Sequence, residues 1–247
     1  MTVPIRPAST VVLLRDGDEG LEVLMVRRNR ALAFAGGFWV FPGGAVDAAD
    51  LAQGGDDPDE AARYAAAREA EEEAGVSPDP DAMVLISHWT TPVGERKRFS
   101  TWIFAGEVPS DSEVVIDNSE IHDYQWIGVR QALETHKAGD LPMMPPTFIT
   151  LCAMARYETA AEALAGEKET PCPRVLPLLV PIKSDGEGDG KGEGKVEGGF
   201  ATLYPGDVAY DNGDLSLDGP RHRAFMSNAS WQYQYVDVTE PPLYPQD

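Results

Sequence analysis

Apolar and β-branched residues come in short runs along the first half of the chain, and turn-forming residues separate these runs. Residues 10–15 and 21–28 are two such runs joined by an acidic, Gly-containing stretch, which predicts a β-hairpin. Residues 38–41 are a further strand candidate that stops at Pro42-Gly43-Gly44. The remaining strands predicted in this half are residues 83–91, 98–107 and 124–127.

Helices are predicted where good helix formers follow a start signal. Pro58 is a residue type common at the first position of a helix, the Ala-rich run 61–74 has high helix propensity, and Gly75 ends it. The acidic segment before Pro58 predicts a loop. Two more helices are predicted at residues 129–138 and 147–165.

The character of the chain changes after residue 168. The strands predicted there are residues 174–183, 200–204, 221–226 and 231–236, and the acidic, Gly-rich residues 184–199 predict a flexible loop because they cannot bury apolar surface. We therefore expect a domain over residues 1–168 and a small β-rich extension over 169–247. The extension either packs on that domain or forms a homodimer interface.

The net charge of the chain limits the kinds of molecule that it can bind. The 41 acidic against 20 basic residues give a formal net charge of −21, and a field of that sign repels nucleic acid. A local basic cluster can still bind a small phosphorylated substrate. No apolar run has the length of a signal peptide core or a membrane span, so we expect a cytoplasmic protein with no membrane partner.

Three carboxylates are spaced to share one helix face. Glu69, Glu72 and Glu73 stand at i, i+3 and i+4, within one turn of each other. Such a cluster repels itself unless a hard cation is present, and Mg²⁺ prefers carboxylate oxygens. Arg68 is placed to orient one of the carboxylates. The alternative interpretation is a solvated acidic face on an acidic protein.

The residues around this face match a longer pattern, Gly-x5-Glu-x7-Arg-Glu-U-x-Glu-Glu-x-Gly-U, where U is aliphatic. The matching residues are Gly54, Glu60, Arg68, Glu69, Ala70, Glu72, Glu73, Gly75 and Val76. The pattern is the signature of the Nudix hydrolases, which this chain resembles. Gly44 is the alternative counterpart of the first glycine, since it closes a strand, and the loop that follows it is then about ten residues longer than the pattern allows.

The resemblance implies a fold, an activity and a metal site. The fold is α/β, with a mixed β-sheet sandwiched between helices. The activity is hydrolysis of a phosphate–phosphate bond with Mg²⁺, for which Mn²⁺ can substitute. The metal ligands implied are Glu69, Glu72, Glu73 and the backbone of Gly43. Glu120 is a candidate for a further catalytic carboxylate, the alternative being an exposed loop acid.

The sequence specifies the substrate contacts less closely than the metal ligands. Arg96, Arg98, Arg28 and Gly44 are candidates, although Arg96 and Arg98 also fit a solubilising hairpin tip. Residues 39–50 and 144–151, together with Ala70, resemble the peroxisomal coenzyme A diphosphatases, which implies CoA or acyl-CoA as the substrate. The alternatives are ADP-ribose, a dinucleoside polyphosphate, a nucleoside triphosphate, or a non-catalytic ligand-binding module of the same fold.

Overall fold

The structure, a computed structural model, describes residues 3–30, 35–116, 119–182, 199–227 and 230–246. The strands within these residues are β1 (Ile5–Gly17), β2 (Gly20–Arg28), β3 (Trp39–Val40), β4 (Gly43–Ala45), β5 (Val84–Thr90), β6 (Arg98–Glu107), β7 (Ile121–Gly128), β8 (Arg174–Val175), β9 (Leu178–Pro181), β10 (Phe200–Leu203), β11 (Arg221–Ser227) and β12 (Ser230–Val236). The α-helices are α1 (Ala48–Gly54), α2 (Pro58–Ala74), α3 (Val129–Lys137), α4 (Pro145–Met154) and α5 (Ala160–Glu169). The loop predicted at 184–199 lies, except for Gly199, outside the described residues.

The larger sheet has eight strands and mixed pairing. Its main order is β3-β2-β1-β6-β5-β8, with β4 paired to β1 and β7 paired to β2. The pairs β1–β6 and β5–β8 are parallel, while the hairpin predicted from residues 10–15 and 21–28 is confirmed as the antiparallel pair β1–β2. Because β1 pairs with β2 at one end and with β4 at the other, β4 reaches the middle of the sheet.

Helices cover both faces of this sheet, which confirms the predicted mixed sheet sandwiched between helices. On one face α2 packs against β1 and β6, with α1 alongside. On the opposite face lie α3 and α5, and α4 packs against α3. Each face has its own core, because alternate residues of a strand point to opposite sides: Val11 and Leu13 lie under α2, whereas Val12 and Leu14 lie in the other core.

The second sheet has four strands in the order β12-β11-β10-β9. Tyr204, Ala224 and Trp231 from this part of the chain belong to the core of the larger sheet on the side away from α2. The other face of the four-stranded sheet has a small core of its own around Ala201, Leu203 and Ala209. The C-terminal sheet therefore packs on the rest of the chain. β8, which lies within residues 169–247, pairs with β5 of the larger sheet.

Three predicted segments differ from the structure. The single strand predicted at residues 174–183 is divided into β8 and β9, which belong to different sheets. The single helix predicted at residues 147–165 is wrong, since α4 ends at Met154 and α5 begins at Ala160. The new start is capped twice: the Thr159 hydroxyl accepts from the Glu162 amide at 3.2 Å, and the Asp16 carboxylate accepts from the Ala160 amide at 2.8 Å. The acidic loop before Pro58 also contains a helix, α1, that was not predicted.

No helix in the described part of the chain combines the length and the apolar character that a membrane span requires.

Candidate active site

The position of α2 brings its carboxylates to the β4 strand. The helix lies against the sheet through a face of fully buried small side chains, Ala62, Ala66, Ala70 and Ala74. Small side chains allow a close approach between the helix and the strands. The neighbouring face of the helix then points toward β4, and it carries the acidic residues identified in the sequence.

Gly43 and Gly44 lie directly against two of these acids. The Gly43 amide donates to Glu73 Oε2 at 2.9 Å. A Cβ atom on Gly44 would overlap the carboxylate of Glu69, and one on Gly43 would overlap Thr10 of β1. Gly43 requires glycine because it lies against the backbone of Ser9 and Thr10, whereas a side chain at position 44 would displace the carboxylate of Glu69. The predicted use of the Gly43 backbone as a metal ligand stays a prediction.

Arg68 holds the acidic face together. Its Nη1 donates to Glu69 Oε1 at 2.9 Å and to Glu72 Oε2 at 3.1 Å. Its Nε and Nη2 donate to the two carboxylate oxygens of Asp50 at 3.2 and 2.8 Å, and Nη2 also donates to the Ala45 carbonyl at 3.0 Å. The guanidinium therefore orients two predicted ligands and ties α2 to the end of β4.

Asp50 is a site residue that the sequence interpretation missed. Its side chain is 3% exposed, and its carboxylate also accepts from the Asp47 amide at 2.9 Å in the capping box that begins α1. A signal for it was present, since five residues separate Gly44 from Asp50, the spacing the family pattern sets between its first glycine and its first acid. Asp50 is thus a second candidate for the acid of the pattern, with aspartate in place of glutamate, and α1 lies in the extra length before Arg68.

Gly54 and Glu60, which match the pattern in sequence, have other surroundings. Glu69 follows Glu60 by nine positions, or two and a half helical turns, so the two side chains point to opposite sides of α2. Glu60 accepts from Arg63 Nε at 3.2 Å instead. A Cβ atom on Gly54 would overlap the backbone of Ala61, so this glycine permits the contact between α1 and α2.

Arg28 and Glu120 join the site from β2 and from the loop before β7. Arg28 Nη2 donates to Glu120 Oε2 at 3.0 Å, and its Nη1 lies 3.8 Å from Glu73 Oε1. Arg28, predicted as a substrate contact, therefore lies between two acids. The structure brings Glu120 to the same place as the acids of α2, which the sequence alone could only propose.

Burial and crowding shift the ionisation of these acids. Desolvation raises the pKa of Glu73 to about 7, although the Gly43 amide and Arg28 favour its charged form. Desolvation also raises the pKa of Glu69; Arg68 opposes this shift, while the charges of Glu72 and Glu120 add to it. The four carboxylates therefore interact electrostatically, and a positive charge among them would stabilise their ionised forms.

The donor set fits a hard divalent cation in its chemistry. Carboxylate oxygens and a nearby backbone are the ligands that Mg²⁺ prefers. Among the described residues, however, no three His, Cys, Asp or Glu side chains already converge as a metal site. In the structure Arg68 and Arg28 instead lie against oxygens of these carboxylates.

Arg96 and Arg98 are not brought to the carboxylates. Arg98 begins β6 and donates from Nε to the Thr91 carbonyl at 3.1 Å across the β5–β6 hairpin, and Arg96 is exposed in that hairpin. Arg98 pairs with Ile5 of β1, four residues before Ser9, which pairs with Gly44. At about 3.3 Å per residue, Arg98 lies roughly 13 Å along the strand from the site.

Comparison with known proteins shows the family of the chain. A model of the NUDIX domain matches residues 4–146, more than half of the chain. Among solved structures, the NUDIX hydrolase from Alicyclobacillus acidocaldarius is similar with a TM-score of 0.62 and 26% identity. That likeness covers 69% of this chain and 100% of the other.

Two further proteins are similar to this chain in sequence. The Caenorhabditis elegans protein named nudix hydrolase 7 is 25% identical over 89% of this chain and 78% of its own length. The acyl-coenzyme A diphosphatase NUDT19 of Gallus gallus is 27% identical over 55% of this chain, which corresponds to 34% of that protein. The chain therefore belongs to the NUDIX domain family and is a pyrophosphohydrolase of the Nudix type.

Proposed function

We propose that this chain hydrolyses the diphosphate linkage of CoA or an acyl-CoA, with Mg²⁺ held by Glu69, Glu72 and Glu73. The observation that carries the catalytic part is the convergence of four acids, from α2 and from the loop before β7, beside the glycine pair of β4. The substrate class is supported by the similarity to an acyl-coenzyme A diphosphatase over 55% of the chain. Residues 39–50 and 144–151 carry the resemblance to that branch.

Metal dependence is supported by the family and by the site. Nudix enzymes generally use divalent cations. When bound, such a cation would neutralise diphosphate oxygens and lower the pKa of the attacking water. Glu69 and Glu73 both lie against the β4 glycines, and Mn²⁺ has ligand preferences similar to those of Mg²⁺.

Other residues of the chain hold these carboxylates in place for the reaction. Arg68 fixes the side chains of Glu69 and Glu72, and the Gly43 amide fixes Glu73. Water oxygen bonds to one phosphorus while the bridging P–O bond breaks, and the departing phosphate takes the electron pair. The proton of the water passes to a carboxylate of the site, for which Glu120 is a candidate. From CoA the products are 3′,5′-ADP and a phosphopantetheine.

A substrate panel tests the proposed substrate class. Wild-type protein with Mg²⁺ is assayed against CoA, acetyl-CoA, ADP-ribose, NADH, diadenosine polyphosphates and dGTP, and products are separated by chromatography. We expect the highest kcat/KM for CoA or acetyl-CoA. A higher value for ADP-ribose would reject the CoA assignment and leave the family assignment standing.

A matched pair of substitutions tests the assigned carboxylates. Glu72→Gln removes a proposed ligand, and we expect kcat to fall on the order of 100-fold or more, since even outer-shell partners of a metal contribute 10- to 100-fold. Glu71→Gln removes the same charge from the exposed side of the same helix and should retain wild-type kcat. Equal activity of the two variants would reject Glu72 as a ligand.

A further inference from the structure

Three consecutive carbonyl groups connect different parts of the molecule between α3 and α4. They belong to the segment 141–143, in which Leu141 and Met143 are almost fully buried. Each carbonyl accepts a hydrogen bond from a different element. The donors, in chain order of the carbonyls, are His136 Nδ1 of α3 at 2.8 Å, the Trp39 amide of β3 at 2.8 Å and Trp231 Nε1 of β12 at 2.9 Å.

Trp231 makes a second bond beside the same segment. Its backbone amide donates to His136 Nε2 at 2.8 Å. Because the Leu141 carbonyl can only accept, His136 carries its proton on Nδ1, and Nε2 is free to accept from Trp231. Trp231 is 7% exposed and His136 is 1% exposed, so both bonds are shielded from water. One residue of the C-terminal sheet therefore holds the segment 141–143 and the helix before it.

The segment 141–143 in turn holds the strand that leads to the glycine pair. β3 has only two residues, Trp39 and Val40, so its pairing with β2 gives it few hydrogen bonds of its own. The bond from the Trp39 amide to the Pro142 carbonyl, together with a bridge between Trp39 and Met143, fixes its other edge. Gly43, whose amide orients Glu73, follows Trp39 by four residues.

We propose that Trp231 is a positioning residue for the pyrophosphohydrolase reaction, acting through the segment 141–143 and β3 on the Gly43–Glu73 hydrogen bond. This inference rests on the function proposed for Glu73. Trp231 lies outside residues 4–146, the part of the chain that matches the family. The C-terminal sheet thereby contributes to the site without touching the substrate.

The test compares two substitutions on β12. Trp231→Phe keeps an aromatic ring but removes the indole N–H that reaches Met143. Tyr233→Phe is the control, since it removes a hydroxyl that accepts from the Leu243 amide at 3.1 Å, away from the segment 141–143. Both variants lose one hydrogen-bonding group from the same strand. Hydrogen exchange at the Trp39 and Gly43 amides and the kinetic constants are measured in each full-length protein, well below its unfolding temperature.

In Trp231→Phe we expect exchange at Trp39 and Gly43 to rise about fivefold to tenfold, the size of one lost hydrogen bond, while the amides of β6 stay protected. We expect kcat to fall about fivefold with KM unchanged, because the substrate contacts are retained. Tyr233→Phe should change neither. Unchanged exchange at Trp39 and Gly43 in Trp231→Phe, the same changes in both variants, or faster exchange without loss of kcat would each overturn the proposal.

The exchange measurement does not depend on the substrate. If the assigned substrate is wrong, turnover is affected alike in the wild type, Trp231→Phe and Tyr233→Phe. If the role assigned to Trp231 is wrong, exchange at Trp39 is equal in the two variants. A second measurement needs no substitution. In low denaturant the Trp231 and Trp39 amides of the wild type should lose protection together, as members of one cooperative unit. Loss at Trp231 with Trp39 still protected would overturn the proposal.

Discussion

The α2 face of the larger sheet and the C-terminal sheet bury charged side chains in different ways. In the C-terminal sheet Asp207 accepts from Arg223 through both of its oxygens, and it also accepts from the amides of Ala209 and His222. These bonds lower the pKa of Asp207 despite its desolvation. On the α2 face, burial raises the pKa of Glu73 to about 7, since the amide of Gly43 and the more distant Arg28 only partly offset the desolvation.

The difference separates a pair that stabilises the fold from the acids that we propose as the metal site. The Asp207–Arg223 pair is satisfied by neighbours that the fold itself supplies, so it fixes the loop between β10 and β11. The acids on α2 are held close together without enough positive charge to balance them. Charges that a fold leaves unbalanced indicate a place for a ligand, and a divalent cation is the ligand that these oxygens fit.

The largest effect is expected from breaking the balanced pair. Asp207→Asn leaves the buried guanidinium of Arg223 without its countercharge, and we expect it to lower the free energy of unfolding by about 3–5 kcal/mol. Measured at a temperature where both proteins are folded, kcat should stay within about twofold of wild type, a difference well under 1 kcal/mol. Denaturant titration measures the first quantity.

The control for this prediction is Asp211→Asn in the same loop, an exposed position where we expect a change within about 0.5 kcal/mol. Equal destabilisation by the two substitutions would contradict the assignment of Asp207 to a buried ion pair.

A smaller effect distinguishes the two candidates for the first acid of the family pattern. Asp50→Asn weakens the hold on Arg68, which orients Glu69 and Glu72, and we expect kcat/KM to fall about 10- to 100-fold. Glu60→Gln removes an acid that forms an ion pair with Arg63 on the far side of α2, and it should change kcat/KM less than about twofold, in line with the small contribution of such pairs. A larger fall of kcat/KM in Glu60→Gln than in Asp50→Asn, measured by steady-state kinetics, would contradict Asp50 as the first acid of the pattern.

The sequence predicted the parts of the fold that depend on local signals. The helix start at Pro58 and its end at Gly75 were both visible, as were the strands with their apolar runs. α1 was missed because it has only seven residues and lies in an acidic, Ala- and Gly-rich segment, and its start is stabilised by two aspartates in a capping box. The break between α4 and α5 depends partly on Asp16, which is distant in the sequence.

The candidate site, like the fold, was predictable where it depends on local signals. The spacing of Glu69, Glu72 and Glu73 follows from helical geometry, so their shared face could be predicted from the sequence. Arg28, between Glu73 and Glu120, could not be placed there, because its position depends on the pairing of β2 with β7. The contribution of Trp231 to the segment 141–143 joins residues almost ninety positions apart, and no local pattern encodes such a contact.

Two pH dependences of opposite sign are also expected, one from Glu73 on α2 and one from His136 on α3. The folded pKa of Glu73 is raised, so its stabilising contribution is present below about pH 4.5 and is lost as pH rises to about 7, by at most about 1.4 kcal/mol per pH unit. Desolvation lowers the folded pKa of His136, so its contribution is present above about pH 6.5 and is lost as pH falls below that value.

Free energies of unfolding measured in EDTA across this pH range check both signs. Glu73→Gln should reduce the loss between pH 4.5 and 7, to which Glu69 also contributes, and His136→Gln, which keeps a donor and an acceptor but does not titrate, should reduce the loss below pH 6.5. A Glu73→Gln protein with the same pH profile as the wild type would contradict the burial of an ionisable Glu73 as the cause.

The most direct test of the central claim, that the acids on α2 form a site for a divalent cation, is the change of unfolding temperature on adding Mg²⁺. For wild type and for Glu71→Gln we predict an increase of about 5–10 °C at a hundredfold excess over the dissociation constant. Glu73→Gln should be at least as stable as wild type in EDTA at pH 8, because it no longer buries a charge, yet should gain less than about a third of that increase. An equal Mg²⁺ response in Glu73→Gln and wild type, or none in wild type, would contradict the account.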